Sequence, residues 1–323
     1  MPVTDSMKSI IKSCIKGLYV FDAVASPAHW FYDRNALRST YGKIEGYVKP
    51  TEKMRGSIMS LSNTGGAGRG SDEGNIVGDV ILHDKKKYWG RGADFHYHVT
   101  LSAGENTLEG SLVRVLVRTL ASSSSSNNAN ISQDLNTFRS NYVDFMTTPG
   151  THNDSYASTC HRMFFANKMK GLKLEDCPDN DNHNVDSMDA LTLTIPVILK
   201  QFANANNTDE DICNSALSTI KITRNVSHEF ERYCNAFTTL LLNVLRGDDL
   251  RDSVKIAANL TFQNGGNIIE NMVKRGDDDP MVACYIDSGF PAMLFMLYKY
   301  ADNDMATIAL ANANAGGENV ARG

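Results

Sequence analysis

The sequence predicts an all-α fold carrying one small glycine-rich β-hairpin insertion at about residues 40–100. Two observations predict it. From Gly104 almost to the end, apolar residues recur at three- and four-residue spacing, the period of a helix with one buried face. Between 40 and 100 that period disappears, glycine becomes dense (Gly65, Gly66, Gly68, Gly70, Gly74, Gly78), and short β-leaning runs replace it. The 323 residues permit one large domain or two, and with no linker to force a division we read 1–323 as one domain.

Met7, Ile10, Ile11, Cys14, Ile15 and Leu18 form the first stripe, with Lys8, Lys12 and Lys16 between them and Thr4, Asp5 or Ser6 as caps. That amphipathic helix runs into Phe21-Asp22-Ala23-Val24-Ala25, where small residues surround one acid. Asp22 on so apolar a face needs a partner: a helix end, neighbouring amides or a cation. In the insertion, Ile76 to Leu82 and Tyr88-Trp89 read as the two arms of a hairpin turning at Asp84-Lys85-Lys86. Thr64 to Gly70 invites a phosphate-loop reading, but no apolar strand precedes it and no Gly-Lys-Ser/Thr follows, so a surface loop fits better. His96 and His98 share a face if extended and could bind metal; without a third ligand nearby, packed or hydrogen-bonded histidines fit better.

The second half is helical. Leu108, Leu112, Val115, Leu116 and Thr119 make one stripe, the run Ala121 to Asn130 a polar loop, and Ile131, Leu135, Phe138, Tyr142, Phe145 and Met146 the next stripe, which ends at Pro149-Gly150. Further helices are expected over 185–204, 209–223, 227–246, 248–263 and 281–301, with Gly247 and Gly265-Gly266 as stops. Phe230, Tyr233, Cys234, Phe237, Leu240, Leu241, Val244 and Leu245 line an apolar face broad enough for the centre of a bundle.

Composition excludes several roles. A net charge of -5 with mixed signs offers no basic stripe for nucleic acid and no polybasic segment for a membrane surface. Lys8, Lys12 and Lys16 interrupt any secretory core, and Asp287, Gly289 and Pro291 break the most apolar stretch, Met281 to Tyr298. Six cysteines without a CxxC pair predict a reduced, cytoplasmic chain.

Chemistry concentrates in Gly150 to Phe165, GTHNDSYASTCHRMFF. After the Pro-Gly break come His152, Asn153, Asp154 and Ser155, then a helix-like face of Tyr156, Cys160, Met163 and Phe164. Asp154 or Ser155 could cap that helix, and a carboxylate there could equally hold a hard cation. The last run, Asn312 to Gly323, carries Gly316-Gly317-Glu318-Asn319.

Two glycines and an acid ending a helical chain resemble the Gly-Gly-Asp-x-Asp-Thr signature of the ADP-ribosylglycohydrolases. His152-Asn153-Asp154-Ser155 resembles that family's Ser/Thr-Asp-Asp-Thr motif, and Phe21-Asp22-Ala23 its opening Gly-Asp-Ala. The order is the family's own, and the likeness spans most of the chain. Within the family, the jellyfish lens J-crystallin branch is similar in Ser26 to Asp33, Tyr88-Trp89, His96-Tyr97-His98, Ala103 to Leu108 and Phe145 to Asp154. The resemblance implies a single orthogonal helical bundle. In enzyme members it implies two magnesium ions between the carboxylate motifs, cleaving glycosidic bonds to ADP-ribose.

Carried over by position, the implied metal residues are Asp154, Ser155, Asn153, Glu318 and Asp22, with Gly316, Gly317 and Asn319 against the ligand; in an active enzyme Asp154 and Glu318 would be catalytic. Asn153 stands where an acid is usual, His152 where a hydroxyl is, Glu318 is longer by a methylene, and Val320 and Ala321 replace an acid and a hydroxyl. Ligand acids fall from four to two, which weakens a dinuclear magnesium site by several kcal/mol, taking roughly 1.5 kcal/mol or more for each missing carboxylate. The expectation is a cytoplasmic structural crystallin of lens cells, catalytically inactive, needing no cofactor, with self-association at high concentration possible. The alternatives are a magnesium-dependent ADP-ribosylhydrolase acting on protein or small-molecule conjugates, and a non-catalytic ADP-ribose-binding module.

Overall fold

A computed structural model describes residues 5–57, 59, 76–90, 92–123 and 130–323. Helices in chain order are α1 (Asp5–Ala25), α2 (Arg34–Tyr41), α3 (Leu108–Ser123), α4 (Ile131–Thr147), α5 (Thr159–Met169), α6 (Thr194–Phe202) and α7 (Asp209–Ile220). They continue with α8 (His228–Arg246), α9 (Leu250–Thr261), α10 (Gly265–Arg275), α11 (Ile286–Lys299), α12 (Met305–Ala315) and α13 (Asn319–Arg322). The all-α expectation holds. Side-chain caps start several helices, each carboxylate or amide taking up N–H groups that lack an intrahelical acceptor. Asp33 accepts from Asn35 and Ala36 before α2, Asn130 from Ser132 before α4, Asp249 from Asp252 before α9 and Asp304 from Thr307 before α12.

The expected hairpin does not form. Residues 76–80 coil into a wide helical turn and 86–89 into a 3-10 turn; among the described residues the insertion contributes only isolated bridges, Lys53 to Phe95 and Val77 to Ile81. Gly78, at φ 101°, turns the chain inside the first coil, so Ile81 N–H donates to Ile76 O rather than to a facing strand. Thr64 to Gly70 lies outside the described residues, as does 124–129 of the expected polar loop, whose Ala121 to Ser123 extend α3.

The chain separates into two compact units. One comprises 1–47, 187–217 and 228–323. There α9 packs on α8, α10 and α11, while α1 packs on α12 and α13. The broad face of α8 is buried through Phe230, Tyr233, Cys234, Leu240, Leu242 and Leu245, with Val244 turned outward at 41% exposure. The helix expected over 185–204 is broken into a 3-10 turn at Met188–Leu191 and α6. Gly247, at φ 90°, does end α8. Gly265 and Gly266 do the opposite of what their composition predicts: they open α10. A Cβ on Gly265 would lie 2.5 Å from Ala258 O and one on Gly266 2.8 Å from Lys255 Cβ, so glycine is what lets α10 start tight against α9.

The other unit comprises 48–186 and 218–227 and holds α3 against α4, with α5 beside the coil at 76–80. Its core contains Leu112, Leu116, Phe138, Tyr142, Phe164 and Phe165. No helix among the described residues is long and apolar enough to cross a membrane.

Candidate functional site

Each unit holds one of the two carboxylates implied as ligands. Asp154, in the second unit, is 1% exposed, and both of its oxygens are occupied. Oδ1 accepts from His98 Nδ1 at 2.8 Å and from Tyr156 N at 3.2 Å; Oδ2 accepts from Leu108 N at 2.7 Å and lies 3.1 Å from the same His98 nitrogen. Leu108 is the first residue of α3, so Asp154 caps a helix 46 positions earlier in the chain. The sequence-based expectation that Asp154 or Ser155 caps the helix that follows is corrected: the residue before α5 is Ser158, whose side chain makes no cap bond. Burial pushes the Asp154 carboxyl up, but the charge and hydrogen bond of His98, with the Leu108 amide, outweigh it and hold the group below its ordinary range.

Its neighbours serve the same staple. Ser155 Oγ donates to Tyr97 O at 2.7 Å. Asn153 Nδ2 donates to Thr100 O and to Glu105 Oε2, while Asn153 Oδ1 accepts from Lys85 Nζ at 3.3 Å. The Trp89 indole donates to Ser155 O at 2.9 Å and stacks on Tyr156, with the buried Arg162 guanidinium 5.2 Å from the Trp89 ring. His96 Nδ1 accepts from His98 N, so both histidines are hydrogen-bonded core residues. His152 packs its ring on Phe145, and burial pushes its pKa down; its Nδ1 has no hydrogen-bond partner.

Glu318, in the first unit, is 3% exposed and likewise engaged. Oε2 accepts from Trp30 Nε1 at 2.6 Å; Oε1 pairs with His29 Nε2 at 3.1 Å and accepts from Ala321 N at 3.2 Å, capping α13. Trp30 N donates to Gly317 O and Gly317 N to Phe31 O, both at 2.8 Å, and Glu318 N donates to Val282 O. Trp30 pays for this register with φ 61°, a left-handed backbone that a bulky residue rarely adopts. A Cβ on Gly316 would lie 2.8 Å from Phe31 O, and one on Gly317 2.6 Å from Val282 O. Both glycines also have positive φ, 69° and 65°. They are glycines because backbone passes against backbone. Asn319 is fully buried and its amide donates to Ala313 O at 3.3 Å. Asp22 is buried on α1, the helix that α13 packs against.

A hard cation needs several free oxygens converging at about 2.0–2.1 Å, whereas the oxygens of Asp154 and Glu318 accept from nitrogen donors and the Ser155 hydroxyl and Asn153 amide are spent on neighbouring backbone and side chains. Among the described residues no three His, Cys, Asp or Glu side chains are grouped to hold a metal ion.

Sequence reasoning missed a second polar cluster, in the same unit as Asp154. Tyr142, His161, Glu109 and Ser158 form a continuous hydrogen-bonded chain linking α4, α5 and the first turn of α3. The i, i+3 spacing of Ser158 and His161, which puts both on one face of a helical start, was the available signal.

No protein-family model matches the chain, and no curated protein matches it. Among solved structures it is similar to an ADP-ribosylglycohydrolase-related protein complex, at 12% identity and a TM-score of 0.50, over 99% of this chain and 86% of that one. At that identity the likeness speaks for architecture alone: this chain has an ADP-ribosylglycohydrolase-type helical fold.

Proposed function

We propose that this chain is a structural protein on an ADP-ribosylglycohydrolase-type scaffold, a crystallin in the physical sense of a stable, concentrated bulk protein, and that the two motifs resembling a metal site now hold the fold together. One observation carries the reading. Asp154 keeps a histidine and two backbone amides, and Glu318 a histidine, an indole and one backbone amide, where an enzyme would keep cations. A metal entering either position has to displace charge-assisted hydrogen bonds worth about 1.5–3 kcal/mol each. The mild net charge of -5 is compatible with high concentration.

Calorimetric titration with magnesium chloride and ADP-ribose tests this. The expected result is no heat of binding for either up to millimolar concentration. Micromolar binding of both, with turnover of ADP-ribosylated arginine or serine peptides that Asp154→Ala abolishes, supports the hydrolase instead. ADP-ribose binding that survives a chelator supports a non-catalytic binding module.

A further inference from the structure

The cluster formed by Tyr142, His161, Glu109 and Ser158 uses neither Asp154 nor Glu318. The Tyr142 hydroxyl lies 2.9 Å from His161 Nδ1, and His161 Nε2 lies 3.1 Å from Glu109 Oε1. Ser158 Oγ donates to that same Oε1 at 3.1 Å. With Tyr142 donating to Nδ1, His161 carries its proton on Nε2 and donates to the carboxylate. The ring is fully buried, the Glu109 side chain 13% exposed, and Ser158 half-buried at the outer end. Burial, first of all, pushes the Tyr142 hydroxyl well up, so the inner end keeps its proton and the chain keeps this polarity.

Two local rules are broken here. Ser158 immediately precedes α5, where a serine ordinarily accepts from the helix's own amides, a bond worth about 1 kcal/mol. Instead its hydroxyl donates to a carboxylate on another helix. Glu109 Oε2 is buried and has no hydrogen-bond partner, although its twin oxygen takes two. A buried carboxylate oxygen left open is costly and needs a reason. A hydroxyl held against a carboxylate that is itself oriented by a third group is the arrangement that activates a nucleophile.

We propose that Ser158 is a nucleophile for acyl esters and related electrophiles, with Glu109 as its general base and His161, backed by Tyr142, as the positioning residue. Oγ forms a bond to the acyl carbon as its proton passes to the Glu109 carboxylate. The ester C–O bond breaks, and the leaving alkoxide takes that proton from Glu109. Water then attacks the acyl-serine: Glu109 receives the water proton, the carboxylic acid departs, and the proton returns to Oγ. The positive end of the α5 dipole begins one residue later, where a developing oxyanion is favoured.

The test is labelling of the full-length chain with a fluorophosphonate, read by intact mass and tandem mass spectrometry. One adduct is expected, on Ser158, with fluoride displaced and no dependence on magnesium or chelator. Ser158→Ala should abolish it. Glu109→Gln, isosteric and checked to melt within a few degrees of the parent, should slow labelling at least 100-fold, the scale of a lost general base. His161→Ala should slow labelling, and His161→Gln, whose amide N–H can still donate to Glu109, should restore part of the rate, a rescue that a purely structural role would not give. An unlabelled parent chain with a normal melt overturns the proposal, as does an adduct on another serine or a Glu109→Gln rate equal to that of the parent.

Discussion

Replacing Asp154 by Asn keeps the shape of the side chain and removes its charge. Its donors are His98 Nδ1, Leu108 N and Tyr156 N. Two of them keep an acceptor but lose charge assistance, about 1 kcal/mol each, because bonds to charged groups are roughly twice as strong as neutral ones. The third faces an N–H in place of an oxygen and is left buried and unpaired, at about 1–3 kcal/mol. The sum, about 3–5 kcal/mol, agrees with the cost of breaking a buried pair and converts to a fall in Tm of roughly 6–20 °C. Calorimetry in metal-free buffer measures it. The effect also has a pH signature. The folded-state pKa lies below the ordinary 3.8, so the stabilisation is present above that value and lost as pH falls through the folded pKa. Parent and variant should therefore differ fully at neutral pH and converge only below about 3.8. A variant that melts at or above the parent temperature at pH 7 refutes the staple, because relief of like-charge repulsion is what neutralising an empty metal ligand produces.

Three further outcomes follow from the same geometry. Glu318→Gln leaves the Trp30 indole or the Ala321 amide facing an N–H, costing about 2–4 kcal/mol; hydrogen exchange should report it as faster exchange confined to residues 316–323 and 29–31. Gly317→Ala meets Val282 O at 2.6 Å with φ at +65° and should cost more than about 3 kcal/mol in urea denaturation, whereas Gly247→Ala, with φ +90° and open space, should cost only about 1–2 kcal/mol. Arg322→Lys loses the fork that reaches Asn312 Oδ1, Pro280 O and Gly316 O; a buried lysine cannot span all three, so the C-terminal turn should become sensitive to protease while α3 and α4 stay protected.

Helical content was legible because it is a local property. Stripes such as Leu108, Leu112 and Leu116 repeat at the helical period wherever the helix docks, and these residues are buried as expected. The insertion was misread because β-leaning residues and a turn are necessary for a hairpin but not sufficient: Ile76 to Leu82 had no facing strand, and Gly78 folded it onto itself. Gly265-Gly266 was misread for a related reason. A glycine pair marks freedom or proximity equally well, and only the neighbouring helix α9 decides which.

Residue identity alone determined that this chain is helical and that its carboxylate-bearing motifs are short of acids. Tertiary structure decided what those acids do. A carboxylate has the same charge whether it faces a cation or a histidine, so Asp154 could not be separated from a metal ligand until His98 and Leu108, 56 and 46 residues away, were brought onto it. For the same reason the spacing of Ser158 and His161 could hint at the cluster but not complete it: Tyr142 and Glu109 come from two other helices, and hydrogen bonds form between neighbours in space.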